Sequence, residues 1–273
     1  MVAFSCGQYD LTVSGLPRLL DRFRSMYKAY LKATGISAVA HLCLRIETLP
    51  AYDLSTNGWV YKNEDDYYRC TYFDNSKCRF EIRVSRNTRI IDVIFPDAIA
   101  AWFSVAIHYA TMIALVQWCI GVHGVTVICE GQVIVLSAAS GTGKTTLAKL
   151  LNKYCKAAVV NGDFALLSAN PKATVVFEPT PFCGSSKTCV NYRLPVHRIV
   201  FLEQAVENKW EQIEAREALK LLLSNSYVPD WDESGKQSVI GLASEVVNSV
   251  RISRFSFAPN EEATRMFCDF INK

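Results

Sequence analysis

The sequence predicts an α/β protein in two parts: a strand-rich N-terminal domain (1–96) and a mixed-sheet domain (97–273) built around a phosphate-binding loop. Three observations lead there. Short runs of β-forming residues crowd positions 1–95. A glycine-rich segment, Ser137–Thr146, follows an apolar, β-branched run and precedes a helical pattern. From there on, strand-type and helix-type periodicities alternate.

In the first part, Leu16–Tyr30 carries apolar residues at helical spacing with basic residues between them. Ala40–Ile46, Trp59–Asn63, Tyr67–Phe73, Arg79–Val84 and Arg89–Phe95 alternate or are rich in β-formers, and polar turns separate them. A β-meander or small sheet is expected. From Ala98 to Val122 no residue is charged, a run long enough to cross a bilayer. It nevertheless holds Ser104, His108, Thr111 and Gln117 and runs almost directly into the next strand. A buried helix over 98–120, with Asp97 as its cap, is therefore expected rather than a membrane span.

The second part reads as strand (Gly124–Cys129), turn, strand (Val133–Ser137), glycine loop, helix (Lys144–Tyr154) and strand (Ala157–Asn161). Strands at Ala165–Ser168 and Thr174–Glu178 follow, then a loop at Thr180–Thr188 and an apolar strand at Arg198–Leu202. Helices are expected at Glu214–Ser224 and Gly241–Asn248, a strand at Val250–Phe257, and a last helix at Asn260–Ile271.

The 273 residues are half apolar and a fifth charged, with a formal charge of +3. Such a balance builds a core but no broad basic surface, so nucleic acid is not an expected partner. Ten cysteines occur with no C-x-x-C pair and no zinc-ligand spacing, and the N-terminus lacks a secretory pattern. Scattered thiols of this kind suit a reducing, cytoplasmic setting without membrane attachment. A homo-oligomer stays compatible with everything in the chain.

The chemistry concentrates in V-I-V-L-S-A-A-S-G-T-G-K-T-T-L (Val133–Leu147). Gly141 and Gly143 permit backbone angles that turn successive N–H groups toward phosphate oxygens, and the following helix aims its positive end at the same anion. Ser140, Gly141, Thr142, Gly143, Lys144, Thr145 and Thr146 form the expected cradle. Lys144 reaches the β- and γ-phosphates, and the Thr145 hydroxyl is a ligand for Mg²⁺. The strict pattern asks for glycine where Ala138 stands.

Phosphoryl transfer also needs a carboxylate near the terminal phosphate. Asp163 ends the next apolar strand in A-V-V-N-G-D-F (Ala158–Phe164). If that strand lies parallel and next to the loop strand, Asp163 reaches Lys144. It is then a metal ligand or an acceptor for a hydroxyl proton; the plain alternative is a turn carboxylate. His123 is placed either to share a proton with Asp163 or to pack as a structural histidine. Lys187 and Arg193, flanking Pro181–Ser186, are candidates to neutralise phosphate charge or are ordinary surface residues, and Glu178 is similarly open. His41, His108 and His197 read as structural.

H-G-V-T-V, S-A-A-S-G-T-G-K-T-T-L and V-V-N-G-D together resemble the P-loop domain shared by bacterial HPr kinase/phosphorylase and phosphoenolpyruvate carboxykinases. Pro181–Ser186 and Pro195–Asn208 resemble segments of HPr-kinase-related proteins encoded with peptide-modification systems. The resemblance covers about Val122–Asn208. It implies a PEP carboxykinase-like P-loop fold and an ATP- and Mg²⁺-dependent kinase acting on a serine or threonine hydroxyl of a protein or peptide. By it, His123 matches the histidine before the loop, Lys144 and Thr145 the loop's lysine and metal-binding hydroxyl, and Asp163 the second member of an Asp-Asp pair, the base. Gly162 replaces the first member, which puts two-metal coordination and the reverse, phosphorolytic reaction in doubt. A nucleotide-binding regulatory module without an acceptor, or a small-molecule kinase, are the alternatives.

Overall fold

The structure, a computed structural model, describes residues 1–32, 37–49, 57–97, 101–169 and 174–272. It divides into two units, Met1–Leu115 with Asp230–Asp232, and Val116–Pro229 with Glu233–Lys273. The division thus falls after Leu115 rather than at 96–97.

In the first unit the elements run β1 (Val2–Cys6), β2 (Tyr9–Gly15), α1 (Pro17–Met26), a 3₁₀ turn (Lys28–Tyr30), β3 (Leu31–Lys32), β4 (Ala40–Ile46), β5 (Gly58–Asn63), β6 (Tyr67–Asp74), β7 (Lys77–Ser85), β8 (Ile90–Phe95) and α2 (Phe103–Leu115). Their sheet has the order β3-β1-β2-β4-β8-β7-β6-β5. The expected meander is only its β5–β8 half. β8 pairs parallel to β4, and β4 parallel to β2, which makes the sheet mixed. β1 and β2 are absent from the sequence-based expectation: four of the five residues of β1 are buried, so it shows no alternation, whereas β2 does alternate, with Leu11 and Val13 buried between polar neighbours.

α1 starts with Pro17 at a position where a missing N–H costs nothing, and it buries Leu19, Leu20 and Phe23. The Phe23 ring meets Phe4 edge-on at 5.3 Å. α2 is apolar almost all round and packs on β7 and β8, Phe103 stacking on Phe95 at 5.0 Å. The expected start at Asp97 runs into 98–100, outside the described residues; the helix ends at Leu115 rather than 120, and Ile120 opens the next strand. No helix among the described residues is long and apolar enough to cross a membrane. Asp230–Asp232 join this unit through Trp231, whose ring packs on Tyr68 (5.2 Å) and Tyr61 (6.2 Å).

The second unit contains β9 (Ile120–Cys129), β10 (Gln132–Ser137), α3 (Lys144–Cys155), β11 (Ala158–Asn161), β12 (Phe164–Ala169), β13 (Val175–Glu178), a 3₁₀ turn (Gly184–Ser186), β14 (Leu194–Pro195), β15 (Arg198–Gln204), β16 (Lys209–Gln212), α4 (Ala215–Ser224), α5 (Glu233–Ser249), β17 (Arg251–Phe257) and α6 (Glu261–Ile271). The sheet order is β14-β13-β12-β9-β10-β15-β17-β16, with β11 also pairing with β9. Helices cover both faces. Leu222, Val239, Ala243 and Val246 of α4 and α5 pack with Val135, Ile199 and Ile252. Leu147 and Leu151 of α3, with Phe267 and Ile271 of α6, pack with Ile134, Leu136 and Val200. Each fully buried Leu or Phe contributes about 1.5–3 kcal/mol. α6 is capped by Asn260, whose side chain accepts from the Ala263 N–H at 2.9 Å. β14 and β16 are too short to leave a period, and α5 begins well before its expected start because Glu233–Ile240 mixes polar and apolar residues without a stripe.

Candidate functional site

β9 organises the site. One edge pairs antiparallel with β10, setting Ser137 opposite Gly124. The other edge pairs with β11 up to Asn161 and then with β12 from Phe164. β11 and β12 therefore read as one strand broken at Gly162-Asp163, and the break lies opposite Gly124 and Val125, with His123 beside it as the partner of Phe164. The Gly124 N–H donates to the Asp163 carbonyl at 2.9 Å, and Ser137 Oγ donates to the His123 carbonyl at 2.9 Å. Asp163 does reach the glycine loop, but not as expected. β11 is not the parallel neighbour of β10; it has the same sense and lies one strand away, across β9. The parallel neighbour is β15, which brings Glu203 and Gln204 to the loop.

The loop leaves β10 at Ser137 and enters α3 at Lys144. Gly141 (φ 83°) and Gly143 (φ 99°) take left-handed angles that favour glycine. Gly143, as N-cap, has no side chain to satisfy the first-turn N–H groups, and that turn has no acidic residue. The positive end of α3 is left uncompensated and suits an anion. The expected cradle residues are together here: Ser140, Gly141, Thr145 and Thr146 are exposed, and Thr142 and Gly143 half-buried. The Thr142 hydroxyl donates to the Ala139 carbonyl at 2.9 Å. Lys144 is 7% exposed and folds back over the loop, donating to the carbonyls of Ala138 (2.8 Å) and Ala139 (3.0 Å).

Burial pulls the Lys144 ammonium below its ordinary pKa, and the nearby Asp163 carboxylate pulls it partly back. His123 Nδ1 lies 3.7 Å from Asp163 Oδ1, beyond hydrogen-bond length but within reach of a small rotation. Burial first, and Lys144 second, depress the His123 pKa against the opposing pull of Asp163. At neutral pH the imidazole is uncharged and able to take a proton.

Asn161, unassigned in the sequence, holds Asp163 in place. It is fully buried. Its side-chain oxygen accepts from the N–H groups of Asp163 (3.1 Å) and Phe164 (3.0 Å), while its amide donates to the carbonyls of Phe182 (3.2 Å) and Thr180 (3.4 Å). The sequence signal was an asparagine ahead of glycine at a strand end, the chemistry of an Asx-turn. Through it the Thr180–Thr188 segment is tied against the strand break. Ser186 lies so close that a Cβ on Gly162 would meet its Oγ at 1.9 Å and its Cβ at 2.4 Å. The side chain that the Asp-Asp pair would require at 162 has no room while Ser186 is there.

Arg193 is not free for phosphate. It binds Glu178 in a fork, Nε to Oε2 at 2.9 Å and Nη2 to Oε1 at 2.8 Å; Glu178 is fully buried and also accepts from Ser168 Oγ at 2.6 Å. Lys187 sits at a left-handed turn (φ 54°) on the exposed side of that segment. His41 bonds Thr12 and Ser14, and His197 Nδ1 accepts from the Val133 N–H at 3.0 Å, both structural roles.

A cavity of about 740 Å³ opens at the loop, walled by Ser137–Thr142, Glu203, Ser224 and Asn225. The carbonyl of Asn225 accepts from the His123 N–H at 2.7 Å, linking this wall to the acid–imidazole pair. Among the described residues no group of three or more His, Cys, Asp or Glu side chains is arranged to hold a metal. The site's oxygen donors include the Thr145 hydroxyl and the Asp163 carboxylate, while the Glu203 carboxylate at the cavity wall is paired with Arg254 at 2.9 Å. That small, hard set fits Mg²⁺, which takes most of its ligands from phosphates and water.

No described protein family matches the sequence, and no curated protein matches it. Among solved structures, the HPr(Ser) kinase/phosphatase from Coxiella burnetii is similar over 56% of this chain and 88% of its own, at 11% identity and a TM-score of 0.32. That is a distant structural relationship and carries no functional argument.

Proposed function

We propose that the second unit is a PEP carboxykinase-like P-loop domain that binds Mg²⁺–ATP and transfers the γ-phosphoryl group to a serine or threonine hydroxyl of a protein or peptide. The observation that carries this is the convergence of Lys144, Asp163 and a neutral His123 at the uncapped start of α3. A phosphate loop alone speaks only for binding; a carboxylate beside its lysine adds a base.

In this reading the triphosphate takes the loop N–H groups, and Lys144 exchanges the carbonyls of Ala138 and Ala139 for phosphate oxygens. Thr145, with Asp163 directly or through water, would hold Mg²⁺, which would supply further neutralisation of charge. Asp163 orients the acceptor hydroxyl and receives its proton, and His123 stabilises the carboxylate in the required rotamer. Catalysis is then positioning and electrostatics. Incubation with γ-labelled ATP and candidate peptides, followed by mass spectrometry, tests it. A phosphorylated serine or threonine is the expected product; ATP binding with no labelled acceptor would overturn the transferase.

The crowding of Gly162 by Ser186 favours one second reading. A site without the paired acid at 162 also suits a nucleotide-binding regulatory module, for which that experiment gives binding and no label.

A further inference from the structure

A second, smaller cavity of about 470 Å³ lies against the same loop. It is lined by Thr142, Gly143 and Thr146 on one side and by Gln204, Ala205, Val206, Phe257 and Pro259 on the other. It shares only Thr142 and Gln204 with the larger cavity. We infer that this cavity takes the nucleobase of the bound nucleotide, in contact with Val206, Phe257 and Pro259. The inference rests on the nucleotide-binding reading above and adds to it the part of the ligand that the phosphate loop does not touch.

Chemistry selects the occupant. None of the lining residues is charged, which is wrong for a phosphate or carboxylate and right for a flat, weakly polar heterocycle. Location agrees, because Gly143 and Thr146 belong to the turn and first helical turn that would hold the phosphates. A ligand anchored there has this space within reach. The Phe257 ring reaches the loop itself: a Cβ on Gly143 would stand 3.3 Å from Phe257 Cζ.

The walls are held in advance. β15 and β17 pair through Gln204 and Phe257, the Ala205 N–H donates to the Phe257 carbonyl at 3.1 Å, and the Ala258 N–H donates to Asn208 Oδ1 at 2.9 Å. Val206, at the turn between β15 and β16, is 95% exposed, an aliphatic side chain held in water at the rim of an apolar cavity. Covering it with a base removes that exposed apolar surface. Gln204 donates from Nε2 to the Gly141 carbonyl at 3.2 Å, which leaves its amide oxygen to accept from a base edge.

Calorimetric titration with Mg²⁺–ATP and with Mg²⁺–tripolyphosphate tests the assignment, since the second probe has the phosphates and no base. The wild-type chain is expected to bind ATP at least ~10-fold more tightly than tripolyphosphate. Val206→Ser, at a site too exposed to disturb folding, should weaken ATP about 5-fold and leave tripolyphosphate within about 2-fold. Equal affinities for the two probes in the wild type, or an unchanged ratio in Val206→Ser, overturn the base site while leaving the phosphate loop intact. Failure of the wild type to bind either probe overturns the nucleotide reading and the base site with it.

Discussion

The backbone carbonyl of Asp163 accepts the N–H of Gly124 at 2.9 Å, and this bond, more than any contact of its carboxylate, fixes where the acid stands. Gly124 also lies opposite Ser137, the last residue before the glycine loop. One peptide group of β9 therefore sets the separation between acid and loop. The carboxylate itself stays adjustable, 3.7 Å from His123 Nδ1 and nearly half exposed.

Separate duties for Asp163 and Lys144 give separate kinetic signatures. Asp163→Asn keeps the shape and removes the base, so transfer should fall about 10²–10⁴-fold with the affinity for metal-free ATP nearly unchanged. Lys144→Ala removes the ammonium that meets the phosphates, so affinity and transfer should fall together. Substantial turnover in Asp163→Asn would remove that residue from the chemistry.

The depressed pKa of His123 bears on the acid limb of the pH–rate profile. An imidazole at its ordinary value near 6.5 would be half charged at that pH, whereas His123 stays mostly neutral there. Transfer should hold down to pH 6.5 and fall only as the pH passes below the depressed value. In His123→Gln that particular limb should vanish along with part of the rate. An identical profile in the variant would leave the imidazole a purely structural part.

Ser186 and Gly162 should couple strongly. Gly162→Ala alone must displace Ser186 or the strand break, costing about 1–3 kcal/mol and loosening the turn that holds Asp163. Gly162→Ala with Ser186→Gly removes both clashing atoms and should recover most of that loss. Additive effects in urea denaturation of the two single variants and the double variant would show that the contact is unimportant.

Arg193 should behave as a structural cation. Arg193→Met strands the buried Glu178 carboxylate, and with the guanidinium partly in solvent the expected cost is about 1–3 kcal/mol. ATP affinity should not change. A selective loss of nucleotide binding at unaltered stability would restore the phosphate-contact reading of this residue.

His108, buried in α2 with its pKa pulled down to about 3, should shape the acid stability of the first unit. Between pH 6.5 and 3 the unfolded chain protonates this ring and the folded chain does not. Stability therefore falls as the pH is lowered across that window, by up to about 1.4 kcal/mol per pH unit for this group. His41, lowered chiefly by burial, adds in the same sense. His108→Leu should flatten the dependence measured by urea denaturation between pH 7 and 5.

Local chemistry was written plainly in the chain. The β-branched run, the two glycines and the G-K-T that follow fix a strand, a tight turn and a helix start from nearest neighbours alone, and the helix and flanking strands fall within a few residues of their expected bounds. The helix start at Asn260 and the strands from Tyr67 to Phe95 were legible for the same reason, since capping and alternation are short-range effects. Pairing was not. Whether β11 lies beside β10 or across β9, that Arg193 is committed to Glu178, and that Ser186 occupies the space beside Gly162 depend on residues far apart in sequence. Which side chains meet is decided by strand order and loop packing, and these follow from burying both faces of one sheet at once, a condition no local pattern encodes.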